Sequence, residues 1–430
     1  MQPVEAVLLG AGQRGRESFG AFALRHAHLL RFVAVAEPDE GRRQAFAAAH
    51  RIPPERQFRC WEDLLARPAL APLCVNTTMD RTHLASSLAG LEAGYHLLLE
   101  KPMAHTPEGC LAIARAAEQH HRIVQICHPM RYSAFYARAK ELLEEGCVGQ
   151  PTVVLMTENV AYWHFAHSFV RGNWRRDDES GPLILTKTCH DMDLAVWLVA
   201  STPKRIASMG ELRFFRSENA PEGAPERCTD GCPVEATCPF YAPAAYLGPM
   251  IEWPVSVISL DSSLEARRRA LETGPYGRCV FRCDNDVVDH QVVMVEFENG
   301  TMLNFTVSAC TSFCYRSLRV VGGAGELNGH FERNELRVER FDQGLYVQVP
   351  TETHRVATGD GAHGGGDWRV MRNCVQLLRH ENFAEAMQSL QIAVQGHLLS
   401  FAAEEARRSA NIVDFAQYSS RFEAPCGSLS

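Results

Sequence analysis

The stretch Gly10-Ala11-Gly12-Gln13-Arg14-Gly15 is a G-x-G-x-x-G that directly follows a short apolar run at 4–9. Chain after such a motif is expected to open a helix. The first glycine then permits a tight turn. The second lets a pyrophosphate approach the backbone, and the third lets the helix pack closely on its strand. Gln13 and Arg14 sit with Gly10, Gly12 and Gly15 at the helix N-terminus, where free N–H groups and the helix dipole favour an anion. Glu37 ends the next apolar run, 22 residues beyond Gly15. Its carboxylate would accept hydrogen bonds from ribose hydroxyls and repel a 2′-phosphate, so NAD is favoured over NADP. Arg42 and Arg43 lie nearby and weaken that preference.

Two other groups could do chemistry. Tyr162, Trp163, His164, His167, Arg171, Trp174 and Arg175 form a dense aromatic and basic stretch. Aromatic faces stack on sugar rings, and Arg or His binds hydroxyls or an acidic substituent. The competing reading is a packed loop with solvated charges. Cys228, Cys232 and Cys238 lie in C-x3-C-x5-C, with Cys279 and Cys283 following in the same polar insertion. Thiolate-rich closed sites suit structural zinc, with four ligands drawn from Cys228, Cys232, Cys238 and Cys279 and Cys283 as an alternative. Free thiols or a disulfide formed on oxidation are the other reading, and an iron–sulfur cluster is a lesser alternative. The insertion is poor in apolar residues, so a metal could order it. Cys74 and Cys127 fall in apolar runs and read as core.

The elements that must position these residues fall into two regions. Up to about residue 126, apolar runs at 4–9, 31–36, 73–77, 95–100 and 123–127 alternate with helical patterns starting near 14, 40, 81 and 107. This alternation predicts a parallel, doubly wound sheet over 1–126, an N-terminal Rossmann domain that binds NAD. From 127 to 430 the texture changes to an α+β domain. After a helix at 133–145, longer strand-like runs occur at 152–158, 291–297, 301–307 and 318–322. The Glu298-Asn299-Gly300 turn joins two of them as a hairpin. The expected architecture is a large, open, mostly antiparallel sheet with helices on one face. It is interrupted by the Cys-rich insertion at about 215–285 and closed by helices at 367–408. The tail at 423–430 reads as loose.

Composition sets limits. The chain has 430 residues, 46% hydrophobic and 22% charged, normal for a globular protein of two domains. Its 43 basic and 51 acidic side chains give a net charge of −8, which argues against a nucleic-acid partner. No apolar run reaches the roughly 20 residues needed to span a bilayer, so no membrane partner is expected. The first residues lack the pattern of a secretory signal, which leads to a cytoplasmic expectation. Fifteen cysteines in a reducing compartment read as thiols or metal ligands.

Glu100-Lys101-Pro102, ending an apolar run after a dinucleotide-binding half, resembles the Gfo/Idh/MocA family of the glucose–fructose oxidoreductase and inositol dehydrogenase group. Asn76-Thr77-Thr78 with Asp80 and His83 is similar to the family's T-P-x-x-x-H stretch beside the nicotinamide, without the proline. Arg131-Tyr132 resembles its R-Y/F element. Cys189-His190-Asp191-Met192-Asp193 with Trp197 is similar to its H-x-x-D-x-x-x-W segment. The resemblance implies that Thr77, Thr78, His83, Glu100 and Lys101 join the cofactor site. It also implies that the open sheet floors a sugar site reached by Arg131 and Asp191. An open sheet face can bury against a second copy, so a homodimer or homotetramer is expected.

Family members oxidise a secondary alcohol, which needs a base for the hydroxyl proton and a positive group for the developing alkoxide. Lys101 suits both roles and His190 is the second candidate. Asp191 and Asp193 would orient His190 or cap its helix. Much of the family has an aspartate four residues before this histidine. Here Thr186 stands there and Lys187 follows, so Lys187 is a third candidate. The substrate is then a sugar, cyclitol or glycoside. The alternative is an NAD-dependent glycosidase acting by transient oxidation, elimination, hydration and reduction, because His363-Gly364-Gly365-Gly366-Asp367 looks similar to such relatives. The lesser alternative is a non-catalytic cofactor-binding regulator.

Overall fold

A computed structural model describes the chain apart from Met1, 344, 346–348 and 423–430, so the tail expected to be loose lies outside the described residues. Six strands form the first sheet: β1 (Val4–Leu9), β2 (Leu30–Ala36), β3 (Gln57–Phe58), β4 (Leu73–Asn76), β5 (His96–Leu99) and β6 (Val124–Ile126). All pair in parallel, in the order β3-β2-β1-β4-β5-β6. Helices cover both faces, so these strands are near-continuous apolar runs: Ala6 to Leu9 and Leu73 to Val75 are all buried. The strand order reverses between β1 and β4, and in sheets of this kind the crevice for a ligand lies at the carboxyl ends of the strands at that reversal. Gly10 follows β1 and Thr77 follows β4, so both lie at that crevice.

Two helices of this half start where the chain supplies a side-chain cap. The Asp39 side chain accepts from the Arg42 N–H ahead of helix Glu40–His50. Thr106 does the same from Gly109 ahead of Pro107–Gln119, with Pro107 in its first turn.

The second sheet has nine strands: β7 (Pro151–Ala161), β8 (Pro203–Glu211), β9 (His290–Phe297), β10 (Met302–Thr311), β11 (Tyr315–Gly322), β12 (Gly325–His330), β13 (Glu335–Arg340), β14 (Thr351–Arg355) and β15 (Val413–Asp414). Their order is β14-β13-β12-β11-β7-β10-β9-β8-β15, and among these pairs only β7–β10 is parallel. The expected hairpin is present: β9 and β10 pair antiparallel across Gly300, whose φ is +84°. One face of β9 and β10 is buried, while the other exposes Met294 and Met302.

The region between β8 and β9 is the Cys-rich insertion. The expectation that it has little core of its own is corrected. Cys228, Ala242, Tyr246, Val255 and Leu271 form a separate small cluster inside it. Helices Gly366–Arg379 and Phe383–Ser409 close the chain. The latter crosses helix Cys189–Val199 tightly, since a Cβ on Gly396 would lie 2.7 Å from Asp193 Cα.

Candidate active site

The glycine loop is shaped as its spacing predicts. Gly10 has φ +87°, and a Cβ there would stand 2.4 Å from the Thr77 carbonyl oxygen. A Cβ on Gly15 would stand 2.3 Å from Gly10 O, so this glycine lets the next helix close on the loop. Gly12 has nothing within 4 Å of where a Cβ would be, which leaves its backbone open to a ligand. Thr77 Oγ1 donates to Gly10 O at 2.5 Å and clamps the turn. Glu37 is buried, and its carboxylate accepts from the Ala11 N–H at 2.6 Å and the Asp39 N–H at 3.0 Å. Arg43 turns its guanidinium onto the Glu37 carbonyl at 2.7 Å, so it does not oppose the carboxylate at a ribose site.

Several residues expected to hold the cofactor are instead bonded to one another. Gln13 donates to Glu17. Arg14 is not a free phosphate ligand: its Nε donates to Glu100 at 2.7 Å and its two Nη atoms to Asp367. Glu100 also accepts from the Lys101 N–H. His83 is buried, with its ring nitrogens 2.7 Å from Pro102 O and 3.1 Å from Thr78 O, so it is a strut between two loops. Thr78 bonds Asn76 Oδ1 through its N–H and its hydroxyl. The arrangement fits a dinucleotide at Gly10, Gly12 and Glu37. These other side chains hold the loop in shape.

Lys101 follows β5 and extends its ammonium to the Thr186 carbonyl oxygen, 5.9 Å from the centroid of the Trp174 ring. The missing family aspartate is thus replaced at Lys101 by a main-chain oxygen of the same residue position. His190, in the first turn of Cys189–Val199, is buried with its Nδ1 3.4 Å from His128 Nδ1 and its ring 5.8 Å from that of His363. Burial first, then the Lys101 ammonium and His128, hold its pKa well below the ordinary histidine value. It is therefore neutral near pH 7 and able to accept a proton.

Asp191 and Asp193 do not orient His190. Asp193 is clamped by the Arg131 guanidinium, both buried, which takes Arg131 out of the set of substrate ligands. Asp191 meets Arg316 Nε at 2.9 Å. Arg316 also meets Glu158 at 2.8 Å, and Glu158 meets Lys187 Nζ at 3.0 Å. Lys187 is thus tied into a buried four-charge chain. Burial and the neighbouring Glu158 push Asp191 up to about 6 against the pull of Arg316. Glu158 and Arg316 escaped the sequence reading. They sit in register on β7 and β11, and a charged residue among the buried Met156 and Val160 was the available signal. His128, His363 and Asp367 were also missed as site residues.

The aromatic and basic stretch divides in two. Trp174 stays at the site: it lies by Lys101, and its indole N–H donates to Asp80 at 2.8 Å. His164 lies 3.4 Å from Cys314 Sγ, and Trp163 stacks on it and packs near Trp253. Tyr162 packs on Phe240 of the insertion. Arg171 is buried and donates to the carbonyls of Arg278 and Phe240, so it is a structural link and not a substrate ligand. Arg175 pairs with Asp284 at 3.0 Å and with Glu179, for the same correction.

The zinc expectation is also corrected. Among the described residues no group of three or more His, Cys, Asp or Glu side chains could hold a metal ion. Cys228, Cys232, Cys238 and Cys279 stand around a recess instead of converging on one point, and Cys283 donates to the Cys279 carbonyl outside it. No described helix is long and apolar enough to cross a membrane.

A Rossmann sheet with an open phosphate cradle, and a lysine–histidine site beside the central strands β7 and β11 of a large second sheet, define a nucleotide-dependent oxidoreductase. Residues 4–128 match the oxidoreductase family with an NAD-binding Rossmann fold, and residues 140–388 match its C-terminal alpha/beta domain. The chain belongs to the Gfo/Idh/MocA family of NAD-binding oxidoreductases. It is 24% identical over 319 residues to the oxidoreductase YteT of Bacillus subtilis, covering 71% of this chain and 72% of that one. It is 30% identical over 177 residues to inositol 2-dehydrogenase 1 of Saccharopolyspora erythraea, covering 41% of this chain and about half (49%) of that relative. Levoglucosan dehydrogenase, solved with NADH and levoglucosan, shares the fold with a TM-score of 0.69 at 18% identity, over 96% of this chain and 100% of that one. An inositol dehydrogenase homologue of Azotobacter vinelandii with NAD+ gives 0.66 at 17% identity, over 96% and 97%.

Proposed function

We propose that this chain oxidises a secondary hydroxyl of a sugar, cyclitol or glycoside, with NAD as the hydride acceptor. The observation that carries the reading is the pairing of an ammonium, Lys101, with a neutral buried histidine, His190, beside the cradle. NAD, held at Gly10, Gly12 and Glu37, supplies the acceptor for the hydride. Lys101 stabilises the oxygen as it becomes an alkoxide, and Thr186 O fixes the direction of its amine. His190 accepts the hydroxyl proton, and His128 and His363 beside it keep the imidazole in place. Trp174 and Trp163 offer ring faces for a sugar. The outer face of β9 and β10, where Met294 and Met302 are exposed among polar residues, is the surface by which copies of the chain would assemble.

The test is incubation with NAD and a panel of sugars, cyclitols and aryl glycosides, following NADH absorbance and released aglycone together. NADH formed in step with substrate loss supports a dehydrogenase. Aglycone release that needs only catalytic NAD, without net NADH, replaces this reading with the redox glycosidase. NAD binding with neither reaction leaves a regulator.

A further inference from the structure

Four thiols of the insertion line one small recess: Cys228, Cys232, Cys238 and Cys279. Apart from the sulfurs, the wall is almost wholly apolar, with Ala224, Val234, Phe240 and Phe281 among its residues. Tyr241, the one polar exception, directs its hydroxyl to Glu235 at 2.9 Å. The backbone sets the first and last thiols against each other. Arg227 and Arg278 form an antiparallel bridge, with the Cys228 N–H donating to Gly277 O and the Cys279 N–H to Glu226 O, both at 2.9 Å. The turn carrying Cys232 and Cys238 is closed by the Cys238 N–H donating to Val234 O.

The thiols surround a common space, yet no three of them come close enough to hold a single ion. A lone zinc needs every sulfur about 2.3 Å from one point. A cluster whose irons are themselves spread over a cube reaches sulfurs that one ion cannot.

Charge supplies an independent observation. Arg171 is only 2% exposed. Its bonding partners are the carbonyls of Arg278 and Phe240, and Cys228 Sγ at 3.6 Å; none is a carboxylate. A buried guanidinium is strongly destabilising unless a negative charge compensates it. Four neutral thiols would leave it uncompensated, whereas a thiolate-ligated iron–sulfur cluster is anionic.

We propose that Cys228, Cys232, Cys238 and Cys279 hold a four-iron, four-sulfide cluster, with Arg171 as its buried counter-charge. The cluster joins the two Cys-bearing arms of the insertion and fixes them to the segment that carries Arg171 and Trp174. Its place is separate from the dinucleotide cradle, so it does not depend on the substrate assigned above.

The chain purified without oxygen should contain about four irons and four acid-labile sulfides, the content of a four-Cys cubane. It should also show a broad visible absorbance that bleaches with dithionite. Cys283→Ser keeps both, while Cys232→Ser and Cys238→Ser lose most of the iron, with NAD binding reporting that the chain still folds. Stoichiometric zinc without sulfide overturns the proposal. So does wild-type protein that stays free of iron after incubation with ferrous iron and sulfide, or loss of the cluster in Cys283→Ser as complete as in Cys232→Ser.

Discussion

Arg14 and Asp367 form a two-pronged ion pair, at 2.8 and 3.1 Å, across 353 residues of chain. The pair joins the first turn after the glycine loop to the start of helix Gly366–Arg379. His363 adds a third contact to Asp367 at 3.1 Å. Burial would raise the Asp367 pKa, but Arg14 and His363 outweigh it and hold the carboxyl far below its ordinary range.

Asp367→Asn leaves the Arg14 guanidinium with Glu100 as its one carboxylate partner, beside the Ser18 hydroxyl. Removing one partner of a buried pair costs about 3–5 kcal/mol, and partial exposure of Arg14 places this case at or below the lower end. The depressed pKa means the carboxylate stabilises the fold above its unfolded value of about 4, and that contribution fades as pH falls below it. Urea unfolding should therefore separate the two proteins at pH 7, with a gap that starts to narrow below about pH 4 and closes only toward the far lower folded value. Equal midpoints at pH 7 would show that the pair does not stabilise the fold.

Lys101→Met removes the ammonium and keeps the length of the side chain. Turnover on whichever substrate the panel identifies should fall by roughly 10²–10⁴-fold. NAD affinity, which the proposed reading assigns to Gly10, Gly12 and Glu37, should change little. Fluorescence titration with NADH beside steady-state rates separates the two effects. A variant that keeps more than a tenth of the wild-type rate removes Lys101 from the chemistry.

Much of this arrangement was legible because its residue types are forced by local backbone. At positions 10 and 15 only glycine fits, because a Cβ there would strike a carbonyl, and the apolar strand runs follow from burial on both faces. The open sheet was legible where strands alternate, as in β9 and β10. It was not legible at β12–β14, which are short, charged and near one edge. The side-chain partners were the least legible part. Arg14, Arg131 and Arg171 looked like ligands because arginine near a site usually is one. Their carboxylates and carbonyls lie far along the chain, at Asp367, Asp193 and Arg278, and spacing does not reveal such pairs.

Glu37 should decide between NAD and NADP. Glu37→Ala loses the acceptor for the Ala11 N–H as well as for a ribose hydroxyl. A hydrogen bond to a charged group contributes about 1.5–3 kcal/mol, so NAD affinity should drop at least tenfold. NADP affinity should fall less or rise, because the repelling charge is gone. Calorimetric titration of both nucleotides measures this, and an unchanged ratio of affinities would place the ribose elsewhere.

Buried histidines should make the fold sensitive to mild acid. His128, His164 and His190 are held well below their ordinary value, His167 at about 4 and His397 at about 3, in every case chiefly by burial. Unfolded, each would take a proton near pH 6.5, so between that value and its folded pKa the unfolded chain binds more protons. Their contribution is complete above about pH 6.5 and is lost as pH falls through the folded values, at up to about 1.4 kcal/mol per pH unit for each group. Asp191 runs the other way: at about 6 in the fold it binds a proton that the unfolded chain binds only near pH 4, offsetting one histidine over that span. The net expectation is a steep fall in the urea midpoint from pH 6.5 to 4.5. His397→Gln should flatten it, because that ring accepts from the Met103 N–H and donates to Ala393 O without facing the cradle. A midpoint that stays level over this range would mean that the histidines are charged in the fold, and would remove the neutral His190 on which the proposed chemistry depends.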